Sequence, residues 1–200
     1  EKNDILKRIS KKKNIGFFQG SDKDLILRNL EVASKMKYDH IVRITGDSPL
    51  VSYQLINEIV NYHLKEKSDF TYNDSLPLGT RCEAIKVEAL RNIYEKTVTN
   101  RYGEYLSLFF KNNSNYFNIK KFNLRFSKKF KDIRLNLDYK SDLKFLKKLM
   151  VFYNDKKIIS LEEIYKFLEI YHNQNVFIKS KYNKSKLFNK ILKDSKIKKF

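Results

Sequence analysis

The chain is poor in cysteine, which can cross-link a small protein, and in proline and glycine, which usually end its helices and strands. Its 200 residues include one cysteine, no tryptophan, two prolines and five glycines. The single thiol, Cys82, excludes an internal disulfide and any zinc cluster built on several thiolates. No apolar run approaches the ~20 residues that a membrane-spanning helix needs, and no signal-peptide pattern opens the chain. We therefore expect a cytoplasmic protein that has no membrane partner and buries a substantial core.

Acidic residues are scarce relative to basic ones, with 23 Asp and Glu against 42 Lys and Arg, which gives a formal net charge of +19. Such a charge favours nucleic acid, an anionic membrane surface or a polyphosphate substrate as partner. The alternative is a solvated lysine coat, since abundant Lys, Asn, Ile, Phe and Tyr are typical of an AT-rich coding sequence. No helix-turn-helix or recognition-motif pattern is present, so specific nucleic-acid recognition is unsupported.

Short apolar runs alternate with stretches of helical period along the first part of the chain. This pattern predicts strands at residues 15–18 and 41–45, a lysine-rich helix over residues 1–13, a helix capped by Ser21 or Asp22, and another beginning near Tyr53. Such alternation favours an α/β fold with a mostly parallel sheet covered by helices. The middle third, with predicted strands at 70–72, 83–87 and 116–122 and a helix over 101–110, is expected to form a small excursion.

Residues 40–50 read HIVRITGDSPL, a β-branched run that ends in a glycine turn and presents one carboxylate, Asp47. Ligands of open α/β sheets bind just beyond the carboxyl ends of the strands, so Asp47 is a candidate metal or substrate ligand. The alternative is that Asp47 and Ser48 cap the helix near Tyr53. This segment leaves both interpretations open.

Residues 133–138 form a second apolar run that ends in a carboxylate, Asp138, and residues 141–142 then start a predicted helix. Two carboxylates that end strands, Asp47 and Asp138, would meet at one sheet edge and hold Mg²⁺ against phosphates. The alternative is that Asp138 merely precedes a capped helix. No histidine adjoins Cys82, so that thiol is not expected to be a nucleophile.

Five blocks, taken in order, resemble a known family. They are residues 18–21 with Asp24 and Leu27, residues 43–50, 79–84 and 100–105, and residues 134–139 with Asp142 and Leu143. Together they resemble the cytidylyltransferases that activate acidic sugars, and in particular the spore-coat-polysaccharide branch, which is related to the CMP-sialic acid and CMP-KDO synthetases. The resemblance covers roughly residues 10–170.

This resemblance implies a Rossmann-like nucleotidyltransferase sheet with helices on both faces. It implies that CTP and an acidic sugar give a CMP-sugar and pyrophosphate, with Mg²⁺ as cofactor and a homodimer as the assembly. Asp47 and Asp138 match the family's two metal-binding aspartates, and Arg43 and Ser48 match neighbours of the first. Glu83 and Glu104 match acidic positions of the sugar-side and dimer-forming excursion. The catalytic set is thus Asp47, Asp138 and Arg43, and the substrate-binding set is Ser48, Glu83 and Glu104.

The chain departs from the family at its start, because members open with a strand and a loop rich in Arg, Ser, Gly and Lys that holds the nucleotide. We therefore expect the first βαβ unit to be absent, with a truncated cytidylyltransferase-like domain over residues 1–155 and a helical basic extension over 156–200. The end of that extension is expected to form either a packed helix or a disordered tail. We therefore expect the chain to be either a fragment of a longer protein or a protein that has lost its ability to bind the nucleotide.

Three functions remain from the sequence. The first is the catalytic portion of a CMP-sugar synthetase, which the ordered blocks favour. The second is a non-catalytic remnant or structural partner of a sugar-modifying enzyme, which the missing opening unit favours. The third is a basic nucleic-acid-binding protein, which only the charge favours.

Overall fold

A computed structural model describes residues 4–97, 103–124, 130, 132–156, 158–171 and 186–197. Within these residues the chain forms eight α-helices and four strands. The helices are α1 Asp4–Lys13, α2 Leu25–Met36, α3 Tyr53–Lys65, α4 Val87–Lys96, α5 Leu106–Lys111, α6 Lys140–Phe152, α7 Leu161–Tyr171 and α8 Lys186–Asp194. The strands are β1 His40–Arg43, β2 Phe70–Tyr72, β3 Glu83–Lys86 and β4 Ile119–Lys121.

The four strands form one mixed sheet in the order β1-β3-β2-β4. β3 is antiparallel to both β1 and β2, whereas β2 and β4 are parallel, so β1, β2 and β4 run in one direction. Because two of the three strand pairings are antiparallel, the sheet is mixed, and the prediction of a mostly parallel sheet is wrong for the pairings that involve β3. β3 follows β2 after the loop 73–82, which contains no helix that could carry the chain back for a parallel pairing.

Two rows of side chains cross the sheet on one face. The first row is apolar and consists of residues that face one another in register, Ile41, Ile85, Phe70 and Ile119. The second row lies two residues later in β1, β2 and β4 and two residues earlier in β3. It is largely polar and consists of Arg43, Glu83, Tyr72 and Lys121. Because β3 is inverted, the polar row combines the last residues of β1, β2 and β4 with the first residue of β3. This row forms the sheet edge where an α/β ligand site is expected.

Helices cover both faces of the sheet, as predicted. On the face with the apolar row, α2, α4 and α5 contribute buried residues to one core, in which Phe70 stacks on Phe110 at a ring separation of 4.5 Å. On the opposite face, α3, α6 and α7 pack into a second core. Each fully buried Leu, Ile or Phe contributes roughly 1.5–3 kcal/mol to folding, so the two cores hold the sheet from both sides.

Two predicted strands are wrong. Residues 15–18 are irregular, and Ile15 is 62% exposed, since no neighbouring strand pairs with this segment in the described part of the chain. Residues 133–138 belong to none of the four strands of the sheet, although an isolated parallel bridge joins Leu78 and Arg134. The reason lies in the backbone donors, because Leu137 N donates to Asp47 O rather than to a strand partner. The segment 133–138 is thus extended but bonded to loops.

Helix starts are partly as predicted. α2 begins at Leu25 with Asp24 as its cap, whose side chain accepts a hydrogen bond from Leu27 N at 2.9 Å, so the predicted cap at Ser21 or Asp22 lies too early. Before α7, Ser160 and Glu163 exchange hydrogen bonds of 3.2 Å and 2.8 Å as a reciprocal capping pair. The predicted helix over 101–110 is a 3₁₀ turn at Gly103–Tyr105 followed by α5, and residues 101–102 lie outside the described residues.

The C-terminal segment 186–197 packs against the end of α5. Asn113 Nδ2 donates to Ser195 O at 2.7 Å, and its Oδ1 accepts from Ile197 N at 2.9 Å. Ser195 and Ile191 are buried. Residues 186–194 thus form a helix that packs on the domain, which agrees with the packed-helix alternative over the described part of the extension, while residues 172–185 and 198–200 lie outside the described residues. None of the helices in the described residues is long and apolar enough to cross a membrane.

A buried histidine lies between α3 and the sheet. His63 is 1% exposed, its Nδ1 lies 2.8 Å from Thr71 Oγ1, and its Nε2 lies 3.0 Å from His40 Nδ1. Burial lowers the pKa of His63 to about 4, with a further lowering from His40 and an opposing effect from Asp69. His63 is thus a neutral core residue at physiological pH.

We predict that His63 makes the fold sensitive to mild acid. Between pH 6.5 and pH 4 the unfolded chain binds a proton that the folded chain excludes, so stability falls as the pH falls, by roughly 2–3 kcal/mol for this group. Urea unfolding measured across this range should show a steeper loss in the wild type than in His63→Gln. A His40→Gln control should retain most of the dependence, because burial is the larger cause. Parallel profiles for the wild type and His63→Gln would contradict the assignment.

Candidate functional site

A cleft of about 780 Å³ opens beyond the carboxyl end of β1. Its walls come from the start of α2, residues 43–47, the 3₁₀ turn and the segment 136–138. Among the predicted site residues, Arg43, Asp47, Glu104 and Asp138 line it. Residues that are far apart in sequence therefore meet at the edge where the topology predicts a ligand.

Asp47 is hydrogen-bonded to residues 136–137 through both its main chain and its side chain. Its Oδ2 accepts a hydrogen bond from Asn136 Nδ2 at 2.8 Å, and its backbone oxygen accepts one from Leu137 N at 2.8 Å. Ser52 occupies the cap position of α3. The alternative in which Asp47 or Ser48 caps that helix is therefore wrong, and the carboxylate faces the cleft.

The surroundings of Asp47 favour its charged form. Burial raises the pKa of the carboxyl, but hydrogen bonds from Thr45, Asn136, its own backbone amide and Ser48 outweigh it and leave the pKa below its ordinary value. Ser48 Oγ also lies 2.9 Å from Thr45 Oγ1. Ser48 therefore braces the turn that presents Asp47, and its predicted substrate contact stays a prediction.

Asp138 is paired with an arginine that also binds a second carboxylate. Arg134 Nη1 contacts Asp138 Oδ2 at 2.5 Å, and Nη2 contacts Asp142 Oδ1 at 2.7 Å. Asp142 Oδ2 accepts from the backbone amides of Asp138 and Tyr139 at 2.9 Å and 2.8 Å. Asp142 thus caps α6. Asp138 keeps a carboxylate that is 44% exposed toward solvent and the cleft.

The electrostatics of this pair hold Asp142 ionised. Burial raises the pKa of Asp142, whereas the amides of Asp138 and Tyr139 and the Arg134 guanidinium lower it, and the net pKa lies below the ordinary value. Arg134 is 10% exposed and neutralises part of the charge that Asp138 adds to the cleft. The sequence indicated Asp138 as a site residue and residues 141–142 as a helix start, but not the ion pairs that Arg134 makes with Asp138 and Asp142.

The carboxylates of the cleft suit Mg²⁺ better than a metal ion that takes all its ligands from protein side chains. Asp47 and Asp138 both line the cleft, and within the described residues no group of three or more His, Cys, Asp or Glu side chains could hold a metal. Mg²⁺ commonly takes one or two carboxylates and completes its shell with water and substrate phosphates. The predicted metal site at Asp47 and Asp138 is chemically consistent with this arrangement and stays a prediction.

Arg43 connects the sheet edge to the 3₁₀ turn. Its Nη1 binds Glu83 Oε2 at 2.9 Å, and its Nη2 donates to the backbone oxygen of Glu104 at 3.0 Å. The side chains of Arg43 and Glu83 are 15% and 19% exposed. Glu83 is therefore occupied by Arg43, whereas Glu104 lines the cleft. Their predicted catalytic and substrate roles stay predictions.

Two residues that sequence reasoning missed shape the cleft wall. Gly79 has φ +96°, and a Cβ there would lie 2.5 Å from the backbone carbon of Leu135 and 2.6 Å from Asn136 N. Only glycine fits this close approach at positive φ. Asn136 was passed over although it lies two residues before Asp138, on the same side of an extended segment.

Cys82 behaves as an inert core residue. The thiol belongs to a residue that is 2% exposed, and burial, with a smaller contribution from Glu83, raises its pKa to about 12. A thiolate nucleophile is therefore not available at neutral pH.

An open mixed sheet covered by helices on both faces, with carboxylates in a cleft beyond a strand end, is a Rossmann-like α/β fold with its candidate ligand site at the strand ends. The chain belongs to the cytidylyltransferase family, whose model matches residues 1–163. The predicted resemblance and fold class are confirmed, while the absence of a first βαβ unit and the domain boundary at residue 155 stay predictions.

Two curated proteins are similar to the chain. One is the spore coat polysaccharide biosynthesis protein SpsF of Bacillus subtilis (strain 168), 26% identical over 165 residues, which are 82% of this chain and 69% of that protein. The other is the uncharacterized protein MJ1063 of Methanocaldococcus jannaschii, 29% identical over 155 residues, which are 78% of this chain and 63% of that protein. The chain thus spans about two thirds of the length of these relatives.

The fold also matches a solved structure. A cytidylyltransferase from Leptospira borgpetersenii serovar Hardjo-bovis (strain JB197) superposes with a TM-score of 0.79 at 23% identity, over 92% of this chain and 76% of that one. At this level of identity the likeness supports the fold.

We predict that Gly79→Ala destabilises the protein by roughly 2–4 kcal/mol, because it adds backbone strain at positive φ to a clash with the backbone of residues 135–136. Gly16→Ala is the matched control, since a Cβ there meets nothing within 4 Å. Thermal or urea unfolding of both variants measures the difference. Equal stabilities would show that residues 78–79 do not pack on the segment 135–136 as described.

Proposed function

We propose that this chain is the catalytic portion of an enzyme that transfers CMP from CTP to an acidic sugar and releases pyrophosphate. The product would serve the biosynthesis of a surface polysaccharide or glycoconjugate, as the printed name of the Bacillus relative suggests. The observation that carries the proposal is that Asp47, Asp138 and Arg43 line one cleft at the sheet edge. Membership of the cytidylyltransferase family supplies the reaction class.

The proposed reaction is a substitution at the α-phosphorus of CTP. A hydroxyl oxygen of the sugar forms the new bond to phosphorus, the bond to the pyrophosphate oxygen breaks, and the hydroxyl proton is released. Asp47 and Asp138 would hold Mg²⁺, which neutralises phosphate charge when bound. Arg134 keeps the Asp138 carboxylate in place, and the hydrogen bonds around Asp47 keep it ionised. Arg43 adds a positive charge at the cleft wall.

An acidic acceptor is supported by the cations near the polar row of the sheet. Lys121 ends β4 and pairs with Asp74 at 2.6 Å, and Lys111 Nζ lies 3.7 Å from the centre of the Tyr72 ring. Arg28 and Arg43 lie in the cleft itself. The cleft lining also contains three carboxylates, Asp47, Glu104 and Asp138, so the proposal of an acidic acceptor relies on these cations together with a bound Mg²⁺, which would offset that negative charge.

We also propose a cytoplasmic homodimer, with the excursion around Glu83 and Glu104 on the sugar side. Tyr116, 46% exposed in this excursion, offers an aromatic surface for a second copy. We further propose that residues outside this sequence hold the triphosphate, because the chain spans 69% and 63% of its two relatives. The same coverage supports the second candidate, a remnant that no longer turns over.

We predict that Asp47→Asn in the full-length protein lowers pyrophosphate release from CTP by at least about 100-fold, because a metal ligand loses its charge while the side chain keeps its size. The assay uses CTP with a panel of acidic and neutral sugars. Asp155→Asn is the control, since that residue is exposed, lies outside the cleft lining and has a positive φ that Asn tolerates. Wild-type turnover that Asp47→Asn leaves intact would overturn the assignment of Asp47.

The same protein separates the enzyme from the two alternatives. A salt titration of oligonucleotide binding should show only weak association that falls steeply as salt rises. Tight, sequence-selective binding without CTP-dependent pyrophosphate release from any sugar would favour nucleic-acid recognition. A full-length protein that binds neither CTP nor oligonucleotides would favour the non-catalytic remnant.

A further inference from the structure

The Asp47 turn and the segment 135–137 are joined by both a backbone and a side-chain hydrogen bond. Leu137 N donates to Asp47 O at 2.8 Å, and Asn136 Nδ2 donates to Asp47 Oδ2 at 2.8 Å. On its other side the segment is bonded to Leu78, through Leu135 N and Leu78 O at 2.7 Å. Asn136 is therefore held by the backbone on both sides while its amide faces a carboxylate.

The amide of Asn136 has only one reasonable orientation. Its Nδ2 faces Asp47 Oδ2, and a flipped amide would place an oxygen against that carboxylate oxygen, which is repulsive. With Nδ2 so placed, Oδ1 is buried and has no hydrogen-bond partner among the described residues. Asn136 is 7% exposed, so solvent does not replace the missing donor.

An unsatisfied buried acceptor is unfavourable for folding, and most buried polar groups are paired. Asn113, at the end of α5, shows the ordinary case, because both its Nδ2 and its Oδ1 are hydrogen-bonded. If Asn136 served stability alone, an apolar side chain of similar size would suit the site better. The Asn136 amide therefore stabilises Asp47 specifically rather than the fold in general.

We infer that Asn136 is a positioning residue for Asp47: its amide holds the Asp47 carboxylate in the orientation in which that carboxylate binds the divalent cation. This inference rests on the proposed function, since it concerns the same cleft. Asn136 donates to Oδ2, while Ser48 Oγ lies at the longer distance of 3.4 Å from Oδ1, and Thr45 and the Asp47 amide also donate to this carboxylate. Without Asn136 the carboxylate would lose its 2.8 Å hydrogen bond from residue 136, so the remaining donors would hold its orientation less firmly and cation binding would lose part of a pre-oriented ligand.

The test is Asn136→Leu in the full-length protein, with Asn113→Leu as the matched control. For Asn136→Leu we expect the apparent dissociation constant of Mn²⁺, measured by electron paramagnetic resonance with CTP present, to rise roughly 10- to 100-fold. Its thermal midpoint should stay within about 2 °C of the wild type or rise, because an unpaired acceptor is removed. Pyrophosphate release should fall at sub-saturating Mg²⁺ and recover in part when Mg²⁺ is raised.

The control should behave in the opposite way. Asn113→Leu removes three satisfied hydrogen bonds far from the cleft lining, so its thermal midpoint should fall while Mn²⁺ affinity of the folded protein is unchanged. Equal Mn²⁺ affinity in the wild type and Asn136→Leu would overturn the positioning role even if the wild type is an active enzyme. A wild type that binds Mn²⁺ in an Asn136-dependent way but releases no pyrophosphate would overturn the proposed function instead and leave the positioning role supported.

Discussion

The cleft depends on the bonding of one extended segment, residues 133–137, to two loops. Ile133 and Leu135 bond to Leu78 on one side, and Leu137 bonds to Asp47 on the other. Through these contacts the end of β1 meets a segment that lies about ninety residues later in the chain, as the separation of 89 between Asn136 and Asp47 shows. Closing so long a loop has an entropic cost that grows only slowly with its length, so a few well-made hydrogen bonds and the core beneath suffice.

Charge in the cleft is arranged in pairs rather than left free. Arg43 is bound to Glu83, and Arg134 is shared between Asp138 and Asp142. Asp47 differs from Asp138, because neutral donors surround its carboxylate and the ion pairs of the described residues do not include it. A carboxylate held by neutral donors keeps its full charge available to a ligand, whereas Asp138 shares its charge with Arg134. The two aspartates are therefore chemically unequal although the sequence presents them in the same way.

Much of the fold was predictable because its cause is local. The periodicity of α3 and α6 and the β-branched run before Gly46 are visible in the sequence, and the family resemblance points to Asp47 and Asp138, which both line the cleft. The failures have a different cause. Residues 133–138 have a strand's composition, but their backbone donors are used by loops that lie far away in sequence. Asn136 and Gly79 were missed for the same reason, since their importance arises only when the segment 135–137 packs against the loops.

The inverted strand β3 has a consequence for how the chain tolerates change. Because β3 runs against its neighbours, the loop 73–82 that precedes it lies at the ligand edge, whereas α4, which follows it, starts from the opposite edge. An insertion before β3 would therefore alter the cleft, and an insertion of the same size between β3 and α4 would lengthen a surface turn on the far side. We therefore expect changes of chain length after β3 to leave the cleft unaltered, whereas changes in the loop before β3 would alter the shape of the cleft and the ligand that it binds.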